Sequence, residues 1–233
     1  MSAFRTLQEE CCEANGLLQK LHLVDMTFGN ASVMDRRRGV FAIKPSGVPY
    51  DALCPRDIVV LDLDGQKVEG RLRPSSDTST HRRLFLAFPE TRAVVHTHSR
   101  HAVAFAQAGR PIPCLGTTHA DFFRGEVPVT RPMTAREIRR DYEWETGGVI
   151  VERFRKLNPS EIRAVLVRGH GPFVWGGSGK EAVEIAQALE IVAEMAWRTL
   201  QIAPRLSPLP ALLRDQHFLR KHGPRAAYGQ PAS

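Results

Sequence analysis

The sequence predicts a mixed α/β sandwich, a central sheet with helices on its faces. Two observations lead to it. Short apolar runs of strand character alternate with longer stretches of helical periodicity through the 233 residues. Between two of those runs an Asp64-Gly65 pair makes a tight reversal, which requires antiparallel pairing in at least part of the sheet.

Taken in order, residues 4–20 read as an amphipathic opening helix. In the following HLVDMTFGNAS, Gly29, Asn30 and Ser32 are turn-forming types and predict a turn. Val40 to Ile43 is a strand that breaks at Pro45-Ser46-Gly47. DIVVLDLDGQKVEGRLRP is a hairpin, with Val68 on the returning strand. Ser75, Ser76 and Asp77 are helix-capping types; Leu84, Phe85 and Phe88 follow at helical spacing and Pro89 stops the run. AVVHTH is a strand leading into a helix from about Arg100 to Ala108. TAREIRRDYEWETGGVIVERF is mainly helix, with Gly147-Gly148 as its expected break. AVLVRGHG and PFVWG are short strands around a glycine turn. KEAVEIAQALEIVAEMAWRTLQ, rich in alanine, leucine and glutamate, is the strongest helix. A last helix falls in LLRDQHFLRKHG and AAYGQPAS is a tail.

Composition narrows the function. Hydrophobic residues at 42% and charged residues at 24% suit a soluble globular chain. No apolar run approaches the ~20 residues of a membrane helix, and the first residues lack a signal segment, so a cytoplasmic location without membrane contact is expected. Cys11, Cys12, Cys54 and Cys114 lack C-x-x-C spacing and read as reduced packing thiols. The formal charge of +7 suits an anionic partner. The basic residues are scattered and no aromatic stripe accompanies them, which argues for a phosphorylated metabolite and against nucleic acid.

Candidate chemistry begins at VVHTHSRH. In a strand His96 and His98 project to the same side, and two imidazoles near a strand's end make half of a divalent-metal site. His170, between glycines in VRGHGPF, is a candidate third ligand; spacing alone leaves His22, His81, His101, His119, His217 and His222 open. Asp77 sits where a helix begins, so the exposed N–H groups and the dipole favour its ionised form. The same place can hold a phosphate through backbone N–H groups and the Ser75 and Ser76 hydroxyls, and Lys44-Pro45-Ser46-Gly47 repeats that chemistry. Two glycine-rich strings are decoys. Val174 stands where both the Walker and the dinucleotide patterns need glycine, in GGSGKEA and GHGPFVWGG respectively.

The strings GNAS, IKPSGVPYDAL, RPSSDTSTH, VVHTHSRHAVAFAQAG, GTTHADFF, YEWETG, HGPFVWG and HFLRKHG with AYGQ resemble, in the same order, the class II aldolase/adducin family, and within it the sugar-phosphate 4-epimerases. The resemblance runs from about residue 4 to Gln230. It implies one class II aldolase-like domain over 1–233, with a mostly antiparallel central sheet and a tail from about residue 223. It implies an isomerase that interconverts L-ribulose 5-phosphate and D-xylulose 5-phosphate in cytoplasmic carbohydrate metabolism such as arabinose catabolism. One Zn²⁺ per subunit is implied, with Mn²⁺ or Co²⁺ as substitutes, held by His96, His98 and His170 with Asp77 as the associated carboxylate. Gly29, Asn30, Lys44, Ser46, Gly47, Ser75 and Ser76 fall in the substrate-binding strings. Asp121 and Tyr228 match the acid/base pair, and Thr117, Glu143, His217 and Arg220 have supporting places. Self-association into a homotetramer with sites between subunits is implied as well.

Within the family, sugar-phosphate aldolases carry glutamate where this chain has Asp77, and adducin-like scaffolds lose the metal histidines. A class II aldolase acting on a related ketose phosphate is the alternative. The string HADFFRG departs from the family's HADYFYG, which removes hydroxyls at Phe122 and Arg124. The chemistry is consistent with these residues. C4 of a 2-ketose lies beta to the carbonyl and its proton is not acidified, whereas the C3–C4 bond is placed for retro-aldol cleavage. Re-forming that bond on the other face of the aldehyde inverts C4, and two faces call for two proton carriers.

Overall fold

The structure is a computed structural model that describes residues 2–223 and 226. It opens with α1 (Arg5–Lys20), followed by β1 (Asn30–Asp35), β2 (Val40–Ile43), β3 (Val59–Asp62) and β4 (Lys67–Glu69). Then come α2 (Thr78–Ala87), β5 (Ala93–His96), α3 (Arg100–Ala108), the single turn α4 (Thr117–Ala120) and α5 (Ala135–Arg153). The chain continues through β6 (Ala164–Leu166), β7 (Pro172–Gly176), α6 (Gly179–Ile202) and α7 (Ala211–His222). The strands form one seven-stranded sheet in the order β4-β3-β2-β1-β5-β7-β6, and each neighbouring pair is antiparallel.

Strand residues alternate between two apolar layers. Ala31, Val33, Val40, Ala42, Ala93 and Val95 pack with residues of α1, α3 and α6 on one face. Met34, Phe41, Ile43, Val94, Phe173 and Trp175 pack with Leu84 and Phe85 of α2 and Ile150 of α5 on the other. Covering both faces explains why the central strands read as continuous apolar runs. Burying them removes apolar area worth about 25 cal/mol per Å².

Two expectations are corrected. The turn expected from Gly29 to Ser32 lies earlier, at Met26-Thr27, closed by the Phe28 N–H on the Asp25 carbonyl (3.0 Å); Gly29 follows with a φ of +76°, and Asn30 and Ser32 lie inside β1. Their polar side chains are tolerated at the sheet centre because each is paired: Asn30 with Ser75 and Asp77, Ser32 with His81. Buried Asn15 of α1 ties down the next residue, donating to the Ala31 carbonyl (3.0 Å) and accepting from its N–H (2.9 Å). The break in α5 falls at Asp141 (φ −158°, ψ 85°) rather than at Gly147-Gly148. Asp141 accepts from the Trp144 N–H (3.1 Å) and so caps a second helical segment. The glycines instead permit contact with α2, since a Cβ at Gly147 would lie 2.8 Å from the Arg83 Cβ. Arg82 and Arg83 both stack on Trp144, with 4.7 Å from guanidinium carbon to ring centroid in each case.

Candidate active site

One end of the central strands carries the site. The register places Asn30 of β1 opposite His96 of β5, and His96 opposite Phe173 of β7. β5 ends at His96, and His98 lies just beyond it, so strand alternation brings the two histidines only to the strand end. The glycine turn before β7 supplies His170. Close backbone approach permits this arrangement. A Cβ at Gly29 would stand 2.7 Å from the His96 carbonyl oxygen, and one at Gly171 would stand 2.9 Å from that of Thr97.

His96, His98 and His170 have ring centroids 4.9, 4.7 and 5.3 Å apart, and their ligand atoms lie within 4.8 Å of one another. No other group of three or more possible metal ligands meets that condition among the described residues. His96 is buried, His170 half-buried and His98 exposed. The His96 ring stacks on Phe173 at 4.2 Å and donates from Nδ1 to the Pro172 carbonyl (2.9 Å). With that proton committed, a neutral ring offers its Nε2 lone pair, and His98 Nε2 faces it at 3.0 Å. Partial desolvation of the otherwise exposed His98, with His96 beside it, lowers its pKa, and burial brings that of His170 to about 4, so both rings are neutral at pH 7. Neutral imidazoles are the form that binds metal, and this donor set fits a divalent cation.

Asp77 occupies the N-cap position of α2 without capping it by its side chain. Its carboxylate accepts instead from Asn30 Nδ2 (2.6 Å), which also donates to Ser75 Oγ (3.0 Å). Burial would raise the Asp77 pKa, but His96, His81 and Asn30 together hold it below the ordinary value. The ionised form is therefore present in the cleft. Two turns face it, joined by Ser75 N–H to the Lys44 carbonyl (3.0 Å) and Ser46 N–H to the Arg73 carbonyl (3.0 Å). Lys44 is only 2% exposed, with its ammonium 4.6 Å from the Tyr50 ring, and burial lowers its pKa.

Together these residues line a cleft of about 390 Å³. Gly29, Asn30, Lys44, Ser46, Gly47, Ser75, Ser76, Asp77, His96, His98, Glu143 and His170 all border it. A larger cavity of about 950 Å³ lies between α1, residues 54–57 and residues 69–72 at the end of β4. It contains no histidine, and Arg5, Arg56 and Arg71 there are matched by Glu9, Asp57 and Glu69. The smaller cleft holds the histidine cluster.

Thr117, Asp121, His217 and Arg220 do not line it. Thr117 opens α4 and Asp121 follows that turn. The Asp121 carboxylate accepts from His217 Nδ1 (3.1 Å) and Arg220 (3.0 Å), with Lys221 at 3.4 Å. Burial would raise its pKa, but Arg220, His217 and Lys221 hold it below the usual carboxylate range. Tyr228 lies outside the described residues. Arg124, in the departing HADFFRG string, pairs with Glu161 (2.7 Å) and Asp215 (3.2 Å).

Sequence reasoning missed Tyr142 and Phe28, which also border the cleft. Tyr142 OH lies 3.4 Å from His170 Nδ1, and Phe28 stacks on His98 with centroids 5.7 Å apart. The capping aspartate directly before Tyr142 was the available signal, but the glycine pair farther along drew the break away from it.

Residues 9–197 match the model of the class II aldolase and adducin N-terminal domain. L-ribulose-5-phosphate 4-epimerase UlaF of Salmonella paratyphi B is 49% identical over 224 residues, covering 96% of this chain and 98% of that protein. Among solved structures, an L-fuculose 1-phosphate aldolase superposes with a TM-score of 0.80 at 24% identity, covering 93% of this chain and 95% of that one. L-fuculose-1-phosphate aldolase from Thermus thermophilus gives 0.67 at 27% identity, covering 88% of this chain and 100% of that one. With the antiparallel sheet, the histidine cluster and the matched domain in agreement, the chain belongs to the class II aldolase and adducin family.

Proposed function

We propose that the chain is a zinc-dependent L-ribulose-5-phosphate 4-epimerase, forming D-xylulose 5-phosphate by cleavage and re-formation of the C3–C4 bond. The observation that carries this reading is the convergence of His96, His98 and His170 in a cleft that Asp77 also lines, walled by the Lys44–Gly47 and Ser75–Ser76 turns. The name and identity of the Salmonella relative support it.

His96, His98 and His170 would hold the cation, with Asp77 beside them. When bound, the cation supplies Lewis acidity toward the ketose oxygens, the electron sink that C3–C4 cleavage requires. The protein's own groups do the rest. Ser46, Gly47, Ser75, Ser76 and Lys44 bind the phosphate, so the aldehyde fragment stays in the cleft while it turns its other face. Asn30 keeps the Asp77 carboxylate oriented. Asp121, ionised by its cationic neighbours, is suited to accept a proton from the C4 hydroxyl. Tyr228 serves the opposite face. Asp121 lies off the cleft of its own chain, which supports a homotetramer in which these two residues serve a neighbouring subunit's site.

Incubating the purified protein with a chelator should abolish turnover of L-ribulose 5-phosphate, and adding zinc should restore it. Full activity after verified metal removal would refute the reading. Product analysis separates it from the aldolase alternative: accumulation of free glycolaldehyde phosphate faster than xylulose phosphate would favour an aldolase.

A further inference from the structure

His81 is fully buried on α2, one helical turn after Asp77 and on the same side of the helix. Its Nδ1 lies 2.7 Å from Ser32 Oγ, and its ring meets Phe173 edge-on at 5.8 Å. Its Nε2 is buried and has no hydrogen-bond partner among the described residues. A buried ring nitrogen left unpaired costs about 1–3 kcal/mol, so a histidine kept there calls for a physical reason. The position supplies one. Asp77 and His81 interact electrostatically, and Asn30 donates to only one oxygen of the Asp77 carboxylate.

We propose that His81 is a positioning residue for Asp77: the Ser32 hydroxyl donates to Nδ1, the ring proton resides on Nε2, and Nε2–H holds the carboxylate through one buried water. The relay Ser32–His81–Asp77 fixes the orientation in which Asp77 meets a bound cation. It rests on the metal site proposed above. A partner that orients a ligating or neighbouring carboxylate typically changes metal affinity 10- to 100-fold.

Two substitutions separate the ring nitrogens, since a glutamine amide places its N–H near Nε2 and an asparagine amide near Nδ1. The zinc dissociation constant is measured by competition with a chromophoric chelator, alongside thermal melts. His81→Asn should weaken binding about 10- to 100-fold, while His81→Gln stays within about threefold of wild type. Wild-type affinity in His81→Asn, or equal weakening in both variants, overturns the relay. Equal losses of melting temperature with unchanged affinity would make His81 a packing residue and overturn it too. If neither variant folds, the ¹⁵N spectrum of the wild-type chain reads the tautomer directly: a proton on Nε2 supports the relay and a proton on Nδ1 overturns it. A wild-type chain that binds no zinc removes the metal site itself, and this inference with it. Tight wild-type binding with an unaffected His81→Asn removes the inference alone.

Discussion

Lys44 brings an ammonium group into the cleft wall with little compensation: the Pro45 carbonyl at 3.5 Å and the Tyr50 ring at 4.6 Å. Burying a charge so weakly paired costs stability, which fits a residue retained for an anionic substrate. Lys44→Met should therefore leave the melting temperature unchanged or higher, while KM for the phosphorylated ketose rises about tenfold, the scale of one lost charge-assisted hydrogen bond. A lower melting temperature with unchanged KM would assign Lys44 to the fold instead. His119 shows the opposite economy. Its Nε2 donates to the Gly125 carbonyl (2.7 Å), its Nδ1 is buried without a partner among the described residues, and burial brings its pKa to about 4. The unfolded chain titrates near ~6.5 and binds more protons between those values. The stabilisation is thus complete above about pH 6.5 and is lost as pH falls toward 4, roughly 3 kcal/mol in all. Urea unfolding from pH 7 to pH 4 should show that decline, and His119→Gln should flatten it.

At the scale of elements, α2 is the part on which the site depends, and it is fixed at both ends. Beyond its C-terminus, Arg36 donates to the carbonyls of Phe85 (2.9 Å), Phe88 (2.9 Å) and Thr91 (2.6 Å). These include carbonyls that the last helical turn cannot satisfy itself. Arg36→Met should cost about 2–3 kcal/mol in urea unfolding, because it leaves half-buried carbonyls unpaired. On the neighbouring helix, Asp141→Ala removes the cap that restarts α5 and should cost about 1 kcal/mol. It should also raise KM, since Tyr142 and Glu143 follow directly; Asp141→Asn should restore both. These elements were unequally legible in the sequence. Residues 40–43 and 100–108 show clear periodicity and turn signals, and their bounds agree with β2 and α3. Asn30 and Ser32 concealed β1, because local propensity treats them as turn residues and their partners are 45 to 49 residues away. The α5 break was hidden for a related reason: Gly147 and Gly148 serve close packing against Arg83, which no local rule reveals.

For the whole molecule, metal and fold should be coupled. A cation that binds only the native arrangement adds about 2.7 kcal/mol of stability at one hundred times its dissociation constant. Zinc should raise the melting temperature of the wild type and have no such effect in a His96→Asn/His98→Asn double variant. A rise of equal size in both would place the stabilising site elsewhere. The candidate donors were legible in the sequence as residue types at strand ends, whereas their convergence was not, since spacing left six other histidines in contention. Among the described residues no helix is long and apolar enough to cross a membrane.

The row Asn30–His96–Phe173 has one further consequence. Its members come from three distant stretches of the chain, and the backbone ladder between β1, β5 and β7 keeps them level. A proteolytic nick that frees β1 or β7 would therefore scatter the donors even with every imidazole intact. Ion retention after limited digestion should follow the integrity of those three strands and ignore cuts near β4.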